Sequence, residues 1–190
     1  MPTYIALLRA INLGPHQKVA MADLRTLLTA IWYEDPRTLI LSGNLDFRAP
    51  ARASADVERT LAAACAARLK VDTDVFVRTP TEWRTIIDGN PFPAMAKDDP
   101  GRLVLVCLRT RVRADDVAAL QASITGRELV RSGGRHLYLT YPDGSGVSKV
   151  TLARIEKALG TRGTGRNWNT VLKIGALAAD VLAKGRQGAT

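Results

Sequence analysis

The sequence reads Leu39-Ile40-Leu41-Ser42-Gly43-Asn44-Leu45-Asp46-Phe47, two short apolar runs around a turn signal. Glycine and asparagine tolerate positive φ, so this spacing is typical of a β-hairpin. A related pattern returns later as Leu129-Val130-Arg131-Ser132-Gly133-Gly134, followed by Leu137-Tyr138-Leu139. The two patterns predict two halves of the same kind.

Each predicted hairpin lies between two predicted helices. In the first half, residues 21–31 and 55–69 have helical periodicity, and strands are expected at 4–10 and 75–77. The second half follows the same order, with strands at 103–108, 129–130 and 137–139, helices at 114–121 and 150–159, and an extended piece before Arg166. The order β-α-β-β-α-β is that of the ferredoxin-like split motif. The sequence therefore predicts an α+β fold of two tandem ferredoxin-like subdomains packed together.

The predicted boundaries follow the composition. We place the first subdomain at residues 1–80 and the second at 103–184, which includes a closing helix at 171–182. Residues 81–102 form a connection rich in proline and glycine, in which Trp83 is expected to anchor a short helix. With 46% hydrophobic and 24% charged residues, the chain of 190 residues has the composition of a globular protein.

The net charge restricts the class of partner. There are 27 Lys+Arg against 18 Asp+Glu, a formal net charge of +9. Such a charge favours nucleic acid, anionic small molecules or acidic surfaces, although a high arginine content is also a compositional habit of some genomes. No segment approaches the roughly 18 consecutive apolar residues of a membrane span. We expect a soluble cytoplasmic protein with no membrane partner; the sequence does not indicate an oligomeric state.

Metal and catalytic signatures are weak. The spacing of the two cysteines and two histidines is typical of neither a metal site nor a disulfide framework: Cys65, Cys107, His16 and His136. We therefore expect reduced buried thiols, no metal and no cofactor. No histidine or other base has a recognisable spacing to Ser42, and no dyad or triad is evident. The catalytic residues are therefore unassigned, and the question of enzymatic activity stays open.

The strongest candidate site is the polar cluster Arg166-Asn167-Trp168-Asn169-Thr170, directly before an apolar helix. A helix N-terminus carries unpaired N–H groups and favours an anion. Arg166 is suited to bidentate binding of a carboxylate or phosphate, Trp168 to stacking, and Asn169 to a donor–acceptor edge. In the alternative interpretation, Asn167 caps the helix, Trp168 packs in the core and Arg166 pairs with an acid.

Two further candidates lie in the first half. Arg9, Asn12 and Lys18 come where the first strand leads into the loop before a helix, a common place for ligand contacts. Ser42 and Asn44 belong to the hairpin turn, although turn geometry alone also explains them. We retain all five as predicted ligand-binding residues.

A small-residue loop provides the last candidate. Ser148 and Lys149 follow Gly144-Ser145-Gly146, and backbone N–H groups in such a loop suit phosphate. The competing interpretation makes Ser148 the N-cap of the helix that follows. Both interpretations remain open at this stage.

These segments also resemble a known family. The segments are 4–14, 18–25, Ser42-Gly43-Asn44 with Phe47, 144–149 and 166–171. In this order they are similar to the bacterial domain-of-unknown-function 1697 family, with Ala10, Pro15 and Leu41 departing from its usual residues. The resemblance implies a tandem of ferredoxin-like units and polar segments on one surface. It implies no established activity.

The leading hypothesis is a bacterial protein that binds an anionic small ligand, a nucleotide or phosphorylated metabolite, in a cleft between the two halves. The alternatives are an enzyme acting on such a ligand, a nucleic-acid-binding module and a non-catalytic interaction protein. Nucleic acid is less favoured because aromatic residues make up only 5% of the chain and the aromatic pattern of RNA-binding sheets is missing.

Overall fold

The computed structural model describes residues 1–12, 18–39 and 42–187, with side chains as far as residue 179. These residues form an α+β fold. The strands are β1 (Thr3–Leu8), β2 (Glu34–Leu39), β3 (Asn44–Arg48), β4 (Val75–Arg78), β5 (Leu103–Leu108), β6 (Val130–Ser132), β7 (His136–Thr140) and β8 (Gly163–Asn167). The helices are α1 (Met21–Ala30), α2 (Ser54–Ala64), α3 (Pro80–Asp88), α4 (Pro93–Asp98), α5 (Ala114–Ala122), α6 (Leu152–Leu159) and α7 (Trp168–Gln187).

The chain divides into two compact units. Unit 1 contains Met1–Arg84 and the chain from Lys173 onward, and unit 2 contains Thr85–Leu172. Each unit has one four-stranded antiparallel sheet, with the strand order β2-β3-β1-β4 in unit 1 and β6-β7-β5-β8 in unit 2. The element order β-α-β-β-α-β is the same in both units.

One face of each sheet, the helix face, packs against helices. In unit 1, alternate strand residues such as Ala6 and Phe47 share a hydrophobic core with Leu24 of α1 and Leu61 of α2. In unit 2 the corresponding core joins strand, α5 and α6 residues, namely Val106, Leu137, Leu139, Val117, Leu120 and Ile155. Successive strand residues point to opposite faces, so the residues between these core positions lie on the other side of each sheet, here called the opposite face.

Several predicted boundaries change. The first hairpin strand, predicted at 39–41, is β2 and begins earlier, at Glu34; residues 40–41 lie outside the described ranges. β2 is an edge strand with a largely polar sequence, Glu34-Asp35-Pro36-Arg37-Thr38-Leu39. No apolar run therefore identifies this strand in the sequence. Helix α6 begins at Leu152 rather than at 150, and α7 begins at Trp168 rather than at 171.

The N-cap of α6 is also different from the predicted one. The Arg154 N–H donates to Thr151 Oγ1 at 3.2 Å, so Thr151 caps the helix and Ser148 does not. Ser148 lies in the loop before the cap, where its Oγ accepts from the Val150 N–H at 3.0 Å. A serine close to a helix start is therefore a weak guide to the capping position.

The strand register relates the two hairpins differently from their sequences. Asn44 pairs with Leu7 of β1, and His136 pairs with Cys107 of β5. Asn44 thus corresponds to His136, and the overlay of Asn44 on Gly134 is wrong by two positions. Local Ser-Gly similarity does not determine register, because the partner strand sets it.

Candidate anion-binding site

Arg9 follows β1 and lies in an ion pair. Its Nη1 is 3.6 Å from Asp74 Oδ2, with both side chains partly buried. The backbone is held as well, since the Arg9 N–H donates to the Asp74 carbonyl at 2.9 Å and Thr73 Oγ1 donates to the Arg9 carbonyl at 2.7 Å. These contacts hold Arg9 at the end of the strand; its ligand role stays a prediction.

Asn12 forms two hydrogen bonds with the backbone of Val19, shortly before α1. Its Oδ1 accepts from the Val19 N–H at 2.8 Å, and its Nδ2 donates to the Val19 carbonyl at 3.0 Å. Lys18, next to Val19, is exposed. Residues 13–17, which include His16, lie outside the described ranges. The side chain of Asn12 is therefore engaged with the backbone of Val19, whereas that of Lys18 is exposed.

The hairpin turn has a structural explanation. Asn44 is buried, and its Nδ2 donates to the Leu39 carbonyl and to Ser42 Oγ, both at 3.0 Å. Gly43 has φ +69, and a Cβ there would lie 2.5 Å from Ile11 Cδ1. Glycine is required at this position by both its φ and its close approach to Ile11.

In unit 2, the cluster of residues 166–170 spans the end of β8 and the start of α7, and it contains both buried and exposed residues. The Thr170 N–H donates to Asn167 Oδ1 at 3.0 Å, which confirms the predicted N-cap. Trp168 is buried, with its ring centroid 6.3 Å from that of Tyr138. The side chains of Asn167 and Asn169 are exposed.

Arg166 is a buried cation. Its Nη1 donates to Thr164 Oγ1 at 2.9 Å and to the Gly165 carbonyl at 2.8 Å. Burial lowers the pKa of Arg166 to about 10, an effect that the electrostatic interaction with Cys107 opposes. The net shift is downward, so the cost of burying the charge exceeds the compensation from its surroundings.

Ser148 and Lys149 line an open cleft in unit 2 with a volume of ≈ 260 Å³. The other lining residues come from the chain before β6, from the loop after β7 and from α6: Ile124, Thr125, Gly126, Glu128, Asp143, Val147, Val150 and Arg154. The structure thus brings two of the predicted site residues together with Arg154, a cation that the sequence analysis missed.

The two acidic side chains of this cleft are engaged. Asp143 accepts from Arg127, whose Nε lies 3.1 Å from Asp143 Oδ2 and whose Nη2 contacts Oδ1. This hydrogen bond holds the pKa of Asp143 below its ordinary value. Glu128 Oε1 accepts a hydrogen bond from Ser148 Oγ, whereas its buried Oε2 has no hydrogen-bond partner among the described residues.

The two cations of the cleft have different contacts. Arg154 Nη2 donates to the Ser123 carbonyl at 2.6 Å and to Ser123 Oγ at 3.0 Å, and Lys149 is exposed. Within the described part of the chain, neither cation has a carboxylate partner. The sequence contains one indication of Arg154. It lies in the first turn of a helix, where the helix dipole makes a basic residue unfavourable.

Buried polar groups also lie on the opposite faces of the two sheets. Asp46 in β3 is 2% exposed, and neither of its carboxylate oxygens has a hydrogen-bond partner among the described residues. Burial raises the pKa of Asp46 to about 7, and Arg37 across the strand pair opposes the rise. Asp46 was not among the predicted site residues.

Tyr138 occupies the corresponding position of unit 2. Its hydroxyl donates to the Ile86 carbonyl at 2.7 Å and lies 3.1 Å from His136 Nε2. Because the hydroxyl proton is directed at Ile86, Nε2 of His136 must be the protonated ring nitrogen that donates to Tyr138. Burial raises the pKa of Tyr138 to about 12, so the phenol is neutral.

Residues 1–138 match the family model described as "Protein of unknown function (DUF1697)". The chain belongs to this family. This DUF1697 chain is also similar in structure to the conserved bacterial protein SP0830 from Streptococcus pneumoniae, with a TM-score of 0.71 and 23% sequence identity over 93% of this chain and 98% of that one. None of the curated proteins matches the sequence. The family match ends before the segments that contain Ser148 and Arg166.

Two further features of the described residues concern metal binding and the membrane. The described residues contain no group of three or more His, Cys, Asp and Glu side chains that could hold a metal ion. In the same part of the chain, no helix is both long enough and apolar enough to cross a membrane. Cys65 and Cys107 are buried free thiols, and burial raises the pKa of Cys65 to about 11.

Proposed function

We propose that this protein binds an anionic small molecule in the unit 2 cleft, with Lys149 and Arg154 as the cationic groups. The observation that supports the proposal is the imbalance between the charges of the cleft. Asp143 is paired with Arg127, and Glu128 accepts a hydrogen bond from the neutral Ser148 hydroxyl. The lining therefore has two cations without a carboxylate partner, Lys149 and Arg154, against one acid that is not paired with a cation within the described ranges.

The chemistry of the cleft fits an oxyanion such as a phosphate group. Hydrogen bonds from a charged donor to an oxyanion are shorter and stronger than those between neutral groups. Ser148 is held by Glu128 and Val150, which keeps the loop that carries Lys149 in place. A ligand of the size of a nucleotide or phosphorylated metabolite would enter from the open side.

The scaffold forms part of the same proposal. We infer that each unit is ferredoxin-like and that the chain is a tandem of the two. The support is the shared element order and the strand orders β2-β3-β1-β4 and β6-β7-β5-β8. The ligand roles predicted for Arg9 and Arg166, and the predicted cleft between the halves, are separate hypotheses.

The experiment is calorimetric titration with inorganic phosphate, pyrophosphate, adenosine monophosphate and ribose 5-phosphate at about 0.15 M salt, where exposed charges are screened beyond about 8 Å. We expect saturable binding of at least one of them. Lys149→Ala should weaken it about tenfold or more, because a charge-assisted hydrogen bond contributes about 1.5–3 kcal/mol. Arg154→Ala should have a similar effect.

The matched control is Lys157→Ala, which removes one exposed positive charge from α6 outside the cleft lining. It should leave binding unchanged. Equal weakening by Lys149→Ala and Lys157→Ala would mean a generic attraction to the net charge and would contradict the proposal. The same conclusion would follow if none of the four anions binds.

A further inference from the structure

A groove of ≈ 430 Å³ lies between α5 and β6 in unit 2. Most of its lining is small or apolar and comes from one side of α5, with three residues from β6: Ala114, Val117, Ala118, Gln121, Ala122, Val130, Arg131 and Ser132. The spacing of the α5 residues places them on one helix face. The groove is therefore bounded by an alanine-rich helix face and by a strand.

β6 is an edge strand, and its outward backbone groups are only partly covered. The Gly133 N–H donates to the His136 carbonyl, and the Thr140 N–H donates to the Leu129 carbonyl. In an antiparallel pair such bonded positions alternate, so the backbone N–H and C=O groups of Val130 and Ser132 point away from β7. Gln121 Oε1 accepts from the Val130 N–H at 2.7 Å. The Ser132 backbone remains at the open edge.

The equivalent groove of unit 1 is bridged by a side chain. Arg25 of α1 donates from Nη1 to Thr38 Oγ1 of β2 at 2.7 Å. The corresponding residue of α5 is Ala118, because each directly follows the first buried residue of its helix, Leu24 or Val117. Thr38 corresponds to Ser132, since both occupy the same register position in their sheets.

We propose that the α5–β6 groove of unit 2 binds an extended, acidic peptide segment of a partner protein. The segment adds a strand beside Ser132 and places a small apolar side chain against Ala118. Strand addition of this kind obtains affinity from main-chain hydrogen bonds and specificity from alternate side chains. The groove is separate from the anion cleft, so this proposal does not depend on the proposed function.

The charge around the groove selects an acidic partner. Arg131 lines it, and Nη1 of Arg131 donates to the Val130 carbonyl at 2.8 Å and to Gln121 Oε1 at 3.3 Å, both neutral acceptors. Its guanidinium also lies over the Phe92 ring, 5.9 Å from the ring centroid, and in the described part of the chain Arg131 has no carboxylate partner. Arg111 lies at the hairpin end, with Nη1 3.2 Å from the position of a Cβ on Gly134. A carboxylate on the peptide is therefore complementary to this end of the groove.

The experiment selects phage-displayed random heptapeptides on the full-length protein and measures the affinities of the enriched sequences by fluorescence anisotropy. The decisive variant is Ala118→Arg, which introduces into the groove the side chain that bridges it in unit 1. Its control is Ala119→Arg, an exposed position of the same helix outside the groove lining. We expect acidic peptides that bind the wild type and Ala119→Arg equally and bind Ala118→Arg at least tenfold more weakly.

A second variant tests the same groove independently if Ala118→Arg lowers the stability of the protein. Ser132→Pro removes the outward N–H at an edge strand, where proline is tolerated, and should weaken the same peptides. The proposal is overturned if no sequence is enriched, or if the enriched peptides bind both groove variants as well as the wild type. It is also overturned if the protein self-associates and Ala118→Arg abolishes that association, because the occupant is then a second copy.

Discussion

On the opposite face of each sheet, four residues that pair across the strands form a row. The rows of the two units differ in their charged groups. Paired residues across unit 1 give the row Arg37, Asp46, Ile5 and Arg78. In unit 2 the row is Arg131, Tyr138, Leu105 and Arg166. Both rows begin and end with arginine and have an aliphatic residue in β1 or β5. The second position is a carboxyl group in unit 1 and a phenol in unit 2.

The terminal arginines have a common backbone contact but different further partners. Arg78 and Arg166 each donate to the carbonyl of the preceding residue, at 2.7 and 2.8 Å. Arg78 also lies 3.9 Å from the carboxylate of Glu58, whereas Arg166 donates to the Thr164 hydroxyl. The two arginines therefore share one scaffold position and one backbone contact, and they differ in a further contact, which is a carboxylate for Arg78 and a hydroxyl for Arg166.

The largest expected effect tests the two arginines against each other. Arg78→Met should lower the free energy of unfolding by about 3–5 kcal/mol, because it leaves the buried Glu58 without its cation. Arg166→Met should cost under about 2 kcal/mol, since burying a charge is itself unfavourable. Urea denaturation measures both. Adding Glu58→Gln to Arg78→Met should recover part of the loss, and equal costs for the two single variants would contradict the comparison.

Asp46→Asn should alter the pH dependence of stability. The pKa of Asp46 is about 7 in the folded protein against the ordinary 3.8, so the folded state binds its proton more tightly. The associated stability is fully present below pH 4 and is lost as the pH rises through 7. At about 1.36 kcal/mol per pKa unit, the loss reaches about 4 kcal/mol.

The expected result is that Asp46→Asn is close to wild type at pH 4 and more stable than wild type at pH 8. Thermal melts between pH 4 and 9 measure the difference. Asp98→Asn, at an exposed carboxyl, is the control and should leave the wild-type slope unchanged. An unchanged slope in Asp46→Asn would show that this carboxyl does not titrate in that interval.

Tyr138→Phe should remove the polar link of unit 2 at the position that corresponds to Asp46. It deprives the Ile86 carbonyl of a donor and His136 Nε2 of an acceptor, so we expect a loss of about 1–3 kcal/mol. Chemical denaturation at pH 8, where the phenol is neutral, measures it. Stability equal to that of the wild type would mean that water replaces the hydroxyl.

The smallest expected effect concerns the helix caps of unit 2. Asn167→Ala should destabilise the protein by about 0.5–2 kcal/mol through loss of the α7 cap. Thr151→Ala should have an effect of the same size at α6. Both variants should leave anion binding in the unit 2 cleft unchanged, and weaker binding in Asn167→Ala would favour the ligand role predicted for that residue.

The order of elements was predictable because apolar periodicity marks strands and helices that face a core. A continuous apolar run located the strand at Leu103–Leu108, and Asn167 before an apolar helix identified the cap. β2 was not predictable in this way, because the strand is polar and lies at a sheet edge. Local sequence patterns therefore identified the strands and helices that have an apolar side and did not identify the polar edge strand β2.

The candidate sites depended on contacts that local sequence does not encode. In Leu45-Asp46-Phe47 the alternation indicates a strand with Asp46 facing solvent, yet both faces of this strand are buried. Lys149 and Arg154 meet at one cleft because a loop and a helix converge there. Such proximity results from tertiary packing, so a sequence pattern could nominate individual residues but could not assemble them.

The interruption of unit 1 by unit 2 has a consequence for biosynthesis. Unit 2 is contiguous from Thr85 to Leu172, whereas unit 1 combines the first 84 residues with the chain from Lys173 onward. During translation, all of unit 2 is therefore synthesised before the last segment of unit 1. Unit 1 begins first and is completed last, so its first 84 residues lack their C-terminal segment while unit 2 is being made.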